Sequence, residues 1–275
     1  MVLGPAGPAP VVDLGATRTV GTKAIGDVGA LVWVAEQLNL VEHINRACGK
    51  VGAKKGPSVG EMVLAIAIQR ACDAGPKSEL PEFLKGCLPP VSCLRPGAFT
   101  GQAFHSTAKK VGARELEQAQ VAIARTAVSR FELSTEVVAF DTTNFDTHIA
   151  TTTPGELAQR GKAKSKRRDL RVVGLGLLVS ETGHVPLFHR AYPGNRADQK
   201  VLEACLDGLG QLHDALDEGE GRPRPAARTL VRDGGGWGEE LEEHLDLVGY
   251  YTLVSLPLGH NAARAALKHA AKPER

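Results

Sequence analysis

The sequence lacks the long apolar runs and the cysteine pattern that define several large classes of protein. No stretch approaches the length of a membrane span, and residues 1–15 carry neither the cationic start nor the apolar centre of a secretory signal. The five cysteines are an odd number without paired metal-ligand spacing, so neither a disulfide framework nor a zinc site is indicated. These absences predict a soluble cytoplasmic protein with reduced thiols and no membrane association.

The composition is that of a folded chain with an uneven distribution of charge. With 275 residues, 43% of them hydrophobic and 23% charged, the chain can bury a full core in one large domain or two smaller ones. The net charge of +2 is uninformative by itself, because the distribution of charge matters more than its sum, and here the distribution is uneven.

The pattern changes near residue 133, and we expect three parts. Residues 1–20 are predicted to be a flexible segment, residues 21–132 a helical N-terminal domain and residues 133–275 an α/β domain. Apolar residues at helical spacing predict one helix within residues 25–47. This helix and the next one could together form a DNA-reading helix-turn-helix or an ordinary packing unit, and both possibilities stay open at this stage.

Two further helices are predicted in the N-terminal part. Ser58 and Glu61 have the spacing of a capping box, and Gly75 with Pro76 should end the helix that they open. Residues 84–102 are rich in proline and glycine and should form an irregular connector. Another helix follows, with an apolar stripe composed of Leu116, Ala119, Ile123 and Ala127.

The second part alternates strands with helices. Strands are predicted over residues 136–141, 170–180, 184–192, 227–233 and 250–255, and helices over 197–216 and 238–249. This order favours a mixed sheet whose first three strands are antiparallel and whose later strands return through helices, parallel to the first. The ends of the first and fourth strands would then lie side by side.

Each of those two strands ends on an aspartate. Asp141 and Asp233 should therefore face one another, and paired carboxylates commonly share a proton or bind a divalent cation. An oxygen-only site favours Mg²⁺ or Mn²⁺, which can activate water or a DNA hydroxyl during phosphodiester cleavage. The alternative is that each aspartate forms a turn or caps a helix.

A dense basic stretch lies between the first two strands. Its cations can neutralise several phosphates, so we expect salt-sensitive binding of double-stranded DNA there, although a merely solvated loop would have the same composition. The predicted DNA-binding residues are Arg160, Lys162, Lys164, Lys166, Arg167, Arg168 and Arg171.

Together these segments resemble the DDE transposases of the IS4 and IS1634 insertion-sequence group. The resemblance covers about residues 136–256, and it depends on the Asp141-Thr-Thr-Asn strand end, the block of residues 160–169, the element of residues 194–198 and Asp233. It implies an α/β fold with a ribonuclease-H-like mixed sheet and flanking helices, preceded by the helical N-terminal domain.

The resemblance also implies an activity. This would be Mg²⁺- or Mn²⁺-dependent cleavage and transfer of DNA strands at transposon ends, by a homodimer assembled on end and target DNA. Asp141 and Asp233 match the first two acids of the catalytic triad, as metal ligands. Thr142, Thr143 and Asn144 would orient the site rather than bind the metal.

Two features depart from the family pattern. The third acid, a glutamate, normally follows much later, whereas here Glu239, Glu240, Glu242 and Glu243 lie directly after the fourth strand, where a solvated helical face is expected. Three consecutive glycines after Asp233 should loosen the backbone at a metal ligand. The resemblance therefore predicts a truncated, incomplete member, and a DNA-binding remnant without catalysis is the alternative.

Two other enzyme classes fit the sequence poorly. A haloacid-dehalogenase phosphatase needs an aspartate two positions after its nucleophile, where this chain has Thr143. The segment VVGLGLLVS lacks the third glycine and the helix of a dinucleotide-binding turn, because Leu178 and Val179 continue the apolar run.

Overall fold

The computed structural model describes residues 26–49, 56–87, 96–109, 111–150, 152–196, 198–217, 228–234, 238–255 and 259–270. Before the first strand, the helices of the described part are α1 (Gly26–Gln37), α2 (Leu40–Ala47), α3 (Val59–Cys72), α4 (Leu80–Cys87), α5 (Gly101–Ala108) and α6 (Ala113–Arg130). The elements that follow are β1 (Val137–Thr147), β2 (Arg171–Ser180), β3 (Pro186–Pro193), α7 (Asp198–Asp217), β4 (Arg228–Arg232), α8 (Glu239–Leu247), β5 (Tyr250–Val254) and α9 (Asn261–Ala270). The predicted flexible segment, residues 1–20, lies outside the described residues.

The single helix predicted within residues 25–47 is wrong, because two helices occupy this stretch. Asn39 adopts a left-handed backbone conformation with φ of 48°, and α2 begins at the next residue. Asparagine tolerates this conformation better than most residues, and a left-handed residue cannot continue an α-helix. The apolar periodicity persists through the break, so the sequence pattern did not reveal it.

The predicted capping box at the start of α3 is confirmed. The backbone N–H of Ser58 donates to Glu61 Oε2 at 2.7 Å, and that of Glu61 donates to Ser58 Oγ at 3.3 Å. The helix ends at Cys72, before the predicted stop at Gly75. The predicted connector is wrong at its start, where Leu84 is buried within α4.

The five strands form one sheet in the order β3-β2-β1-β4-β5. β1 pairs antiparallel with β2, β2 pairs antiparallel with β3, and β4 and β5 run parallel to β1 and to each other. This is the ribonuclease-H-like arrangement, and it confirms the predicted fold class, including the β, β, β, α, β, α, β order.

The first strand is longer than predicted. It does not end at Asp141 but continues to Thr147, paired with β2 along its length. Its pairing with β4, in contrast, stops at Phe140. The antiparallel ladder keeps residues extended after the apolar run has ended, and an apolar run alone could not predict this.

The two faces of the sheet differ in their coverage. Val138 and Phe140 of β1 belong to the face buried beneath α6, α7 and α8, which we call the core face. The predicted stripe of α7 packs there, composed of Val201, Leu202, Cys205 and Leu209, each at most 2% exposed. The alternate residues form the opposite face, which we call the open face, and in the described ranges they are half-buried or exposed.

The glycines of β2 make room for aromatic rings on the core face. A Cβ at Gly174 would lie 2.1 Å from the ring of Tyr192, and one at Gly176 would lie 2.9 Å from the ring of Phe140. These glycines serve packing between neighbouring strands, which agrees with the rejection of a dinucleotide-binding turn.

Helix α6 contributes to the cores of both parts of the chain. Ala124, Ala127 and Val128 belong to the cluster beneath the sheet, whereas Ala119 packs with Ile44 of α2. The predicted boundary near residue 133 falls after α6, and it stays a prediction. No helix among the described residues is long and apolar enough to cross a membrane.

Candidate metal and nucleic-acid site

The strand register brings Asp141 and Asp233 to matching positions of neighbouring strands. Phe140 pairs with Arg232 as the last pair of the β1–β4 ladder, and each aspartate is the next residue of its chain. Because side chains alternate along a strand, both aspartates leave the core face and belong to the open face. Parallel neighbours lie roughly 4.8 Å apart, so the backbone at the two aspartates starts from neighbouring positions of the sheet.

Both aspartates are exposed to solvent and stand on anchored backbone. Asp141 Oδ1 accepts a hydrogen bond of 2.7 Å from the N–H of Thr142. After Asp233, Gly234 donates to Ser255 Oγ at 3.1 Å, and a Cβ at Gly234 would lie 2.0 Å from Ser255 O. The first glycine after Asp233 is therefore held against the end of β5, contrary to the expected loosening; Gly235 and Gly236 lie outside the described residues.

Behind the pair, a buried arginine ties three elements together. The guanidinium of Arg232 forms an ion pair with Glu242 of α8, and its side chain is only 2% exposed. The other carboxylate oxygen of Glu242 accepts a hydrogen bond of 2.7 Å from Thr252 of β5. Burial lowers the pKa of Arg232. This network fixes the end of β4 from which Asp233 projects.

The glutamates of α8 do not supply a third acid beside the pair. Glu242 is committed to Arg232 and Thr252, while Glu239, Glu240 and Glu243 are exposed on the helix, as predicted for a solvated face. Within the described ranges, no three His, Cys, Asp or Glu side chains converge as a metal-binding group would require.

A segment of basic residues docks on β1 through Asn144, which by the alternation of the strand lies on the core-face side, opposite to Asp141. We call residues 160–168 the basic loop. Asn144 Nδ2 donates to Lys162 O at 2.9 Å, and the N–H of Lys164 donates to Asn144 Oδ1 at 3.0 Å. The ammonium group of Lys164 donates to Thr142 O at 2.6 Å, one residue beyond Asp141. A single asparagine thus holds the loop and a lysine at the end of the β1–β4 pairing.

The basic loop is also anchored to the turn after β3. Gln159 and Val172 exchange backbone hydrogen bonds of 3.0 and 2.8 Å, which fix the entrance of the loop. A Cβ at Gly161 would lie 2.0 Å from Gly194 O. Gly194 and Asn195 form a turn, in which Arg196 N donates to Pro193 O at 3.0 Å.

The predicted DNA-binding residues differ in exposure and in partners. All are exposed except Arg171, which is half-buried and donates to Thr153 O at 2.9 Å. Arg160 donates to Arg168 O at 3.0 Å. A hydrogen bond from Arg167, reinforced by its charge, lowers the pKa of Asp169 to about 2, so the one acid of this stretch is already paired.

Two threonines follow Asp141 along β1. Thr142 contributes its N–H to Asp141 and its carbonyl to Lys164. Thr143 follows Asp141 on the open face, by the alternation of the strand. Their predicted orienting role stays a prediction, whereas the contacts of Asn144 are to the basic loop.

The donor set of the acid pair suits a hard divalent cation. Two exposed carboxylates on one face supply the oxygen ligands that Mg²⁺ and Mn²⁺ prefer, and such ions keep several water ligands. Asp141 and Asp233 would hold the ion.

Sequence reasoning missed the arginine network and the clamp formed by Asn144. Neither could be found from periodicity, since each joins segments that are distant in sequence. One signal was available: a buried-looking strand that ends on an arginine, followed by a helix rich in glutamate, indicates that the cation needs a partner.

Comparisons with known proteins give a limited result. No protein-family model matches the sequence, and no curated protein matches it. Among solved structures, the chain is similar to a Mos1 transposase paired-end complex with left transposon end, at 13% identity and a TM-score of 0.27, covering 80% of this chain and 74% of that one. It is also similar to a Mos1 mariner paired-end complex with Mn, at 14% identity and a TM-score of 0.29, covering 81% and 69%. A piggyBac transposase synaptic complex with hairpin DNA aligns at 10% identity and a TM-score of 0.35, covering 95% of this chain and 48% of that one.

Proposed function

We propose that this chain is a DNA transposase of the DDE kind, similar to the IS4 and IS1634 insertion-sequence group, that cleaves and transfers strands at transposon ends. The observation that supports the proposal is the strand register, in which the last β1–β4 pair, Phe140 with Arg232, is followed on each chain by an aspartate, Asp141 and Asp233. The basic loop, docked one residue beyond Asp141, supports a phosphodiester substrate.

The chemistry follows from the arrangement of charges. Asp141 and Asp233 would hold a Mg²⁺ or Mn²⁺ ion, which when bound would activate an oxygen nucleophile and stabilise the leaving oxygen. The cations of the basic loop bind the phosphates on either side of the scissile bond and keep the DNA in register with the acids. Two copies on paired ends make up the working assembly.

A DNA-binding remnant without catalysis is the second candidate. It is favoured by the absence of a third carboxylate beside the pair within the described ranges. The remnant shares the basic loop, so both candidates predict binding that weakens steeply as salt rises. They differ only in cleavage.

The test uses labelled duplexes that carry the terminal sequences flanking the coding region, with Mn²⁺ or Mg²⁺. We expect the wild-type chain to cut them, and Asp141→Asn and Asp233→Asn each to reduce the rate by at least about 100-fold, with DNA affinity retained. Asp246→Asn, which removes an exposed carboxylate of α8, should leave the rate unchanged.

Each alternative result has a distinct meaning. Salt-sensitive binding without cleavage by the wild-type chain would establish the remnant. Cleavage that survives both aspartate substitutions would refute the assignment of the acid pair, and the absence of any DNA binding would refute both candidates.

A further inference from the structure

The edge of β1 that faces β4 is left without a strand partner beyond Phe140 in the described part of the chain. The N–H of Thr229 donates to Glu136 O at 2.8 Å, so the carbonyl of Glu136 points toward β4. Carbonyls two residues apart along a strand point the same way, and that of Thr142 therefore points to the same edge, past the end of the ladder. An open edge of this kind needs hydrogen-bond donors from elsewhere.

The basic loop supplies the missing donor from a side chain. Lys164 Nζ donates a hydrogen bond of 2.6 Å to Thr142 O. Its ammonium group therefore lies on the side of β1 where Asp233 follows β4. No strand backbone fills this place in the described residues. The cation thus stands at the junction of the two acid-bearing strands.

The position of Lys164 depends on Asn144. The amide of Asn144 both donates to Lys162 O and accepts from Lys164 N, bracketing the segment from either side. The side chains of Lys162, Lys166 and Arg168 are exposed, with no hydrogen bond or ion pair to another described residue. The clamp therefore fixes the backbone of the loop while leaving these three cations available.

We propose that Asn144 is a positioning residue for the substrate, rather than an orienting group for the metal. From the core-face side of β1 it holds the basic loop against the free edge, which Lys164 reaches beside the acid-bearing strands. It thereby sets the phosphate contacts of Lys162, Lys166 and Arg168 relative to the Asp141–Asp233 pair. This inference rests on the proposed function for its substrate, a DNA backbone. The clamp itself is a property of the free protein.

The first measurement needs no DNA. Hydrogen exchange is followed by mass spectrometry over residues 159–169 of the free chain. Asn144→Ala removes both bonds of the clamp, and exchange there should become at least about tenfold faster. Asn144→Asp keeps the acceptor for Lys164 N and should give a smaller increase. Gln211→Ala, which removes an exposed amide from α7, should change nothing.

The second measurement is DNA affinity as a function of salt. Asn144→Ala should weaken binding by about tenfold although it removes no charge, because ordering the loop then opposes binding. Lys166→Met and Lys164→Met each remove one cation and should weaken binding, but only Lys164→Met should also accelerate exchange, since only Lys164 is bonded to β1.

The outcomes separate the inference from the proposed function. Unchanged exchange in Asn144→Ala would overturn the clamp, whether or not the protein binds DNA. Faster exchange with unchanged DNA affinity would overturn the positioning role. A wild-type chain that binds no DNA would overturn the proposed function together with the alignment of the substrate, while exchange would still decide the clamp.

Discussion

The carboxylate of Glu242 neutralises the buried guanidinium of Arg232, which directly precedes Asp233. Arg232 has a 2% exposed side chain and draws its counter-charge from Glu242, whose side chain is 24% exposed. Nε and Nη1 of Arg232 have no hydrogen-bond partner among the described residues. The arginine thus depends on one partner, and removing one member of a buried pair is far more damaging than removing both.

Replacing Glu242 by glutamine should therefore destabilise the protein strongly. The amide retains the shape of the carboxylate but leaves the buried guanidinium without a compensating charge, and we expect the free energy of unfolding to fall by about 3 kcal/mol. Urea denaturation followed by circular dichroism measures the change. Glu243→Gln makes the same substitution at an exposed neighbour and should shift stability by less than about 0.5 kcal/mol. Equal effects of the two substitutions would contradict the role given to the pair.

The residues of the candidate site were only partly predictable. Asp141 and Asp233 could be brought together from the order of the elements alone, because parallel neighbours align the ends of their strands. The roles of Asn144 and Glu242 could not, since they depend on how a loop and a helix dock on the sheet. A sequence pattern records which face a residue occupies, but not which distant segment meets it.

At the scale of elements, the basic loop and the turn after β3 require close contact between two glycines. A Cβ at Gly161 would lie 2.0 Å from Gly194 O, which is backbone and cannot move aside cheaply. The two segments match separate parts of the resemblance noted in the sequence. Their contact explains the glycine at position 161, whereas a Cβ at Gly194 would lie 2.1 Å from Val172 O.

Gly161→Ala should loosen this contact and destabilise the protein by about 1–3 kcal/mol, in the range of other overpacked sites. Thermal unfolding measures the loss of stability, and faster hydrogen exchange over residues 159–172 would locate it. Gly155→Ala is the matched control, because a Cβ at Gly155 meets nothing within 4 Å. If both alanine variants behave like the wild type, the loop does not rest on the turn as described.

Elements with a local signature were predicted well, and those shaped by their neighbours were not. The capping box of α3 and the apolar stripe of α7 each depend on residues that are close together in the sequence, and both predictions are confirmed. The break at Asn39 and the extension of β1 to Thr147 have no local signal, because a single backbone angle produces the first and the ladder with β2 produces the second. Apolar periodicity detects burial: it continues through the break at Asn39, and it stops at Phe140 although the strand continues.

At the scale of the whole molecule, the sheet presents its open face to solvent. Tyr251 is 65% exposed and Leu253 61%, and Val231 of β4 lies between Leu253 and Ala139 in the register. Neighbouring apolar side chains on one face form a patch, whereas isolated ones are ordinary on a protein surface. We therefore expect this face to make the free protein prone to self-association.

The double substitution Tyr251→Lys, Leu253→Lys should reduce that tendency. Both residues lie on the open face at the edge strand β5, where lysine disfavours pairing and apolar contact. Light scattering at increasing protein concentration should show less association than in the wild type. Leu247→Lys, at an 81% exposed position on α8, should have little effect. An equal improvement from Leu247→Lys would mean that net charge, rather than this face, controls association.

The overhang of β1 beyond β4 also sets a length. From Thr142 to Thr147 the strand advances roughly 16 Å at about 3.3 Å per residue. Successive phosphates along one strand of B-form DNA are spaced about 3.4 Å along the helix axis. The overhang and a nucleotide chain therefore have nearly the same axial spacing, so DNA bound along the overhang, as proposed, would have a footprint of about five nucleotides that begins at the end nearest Asp141.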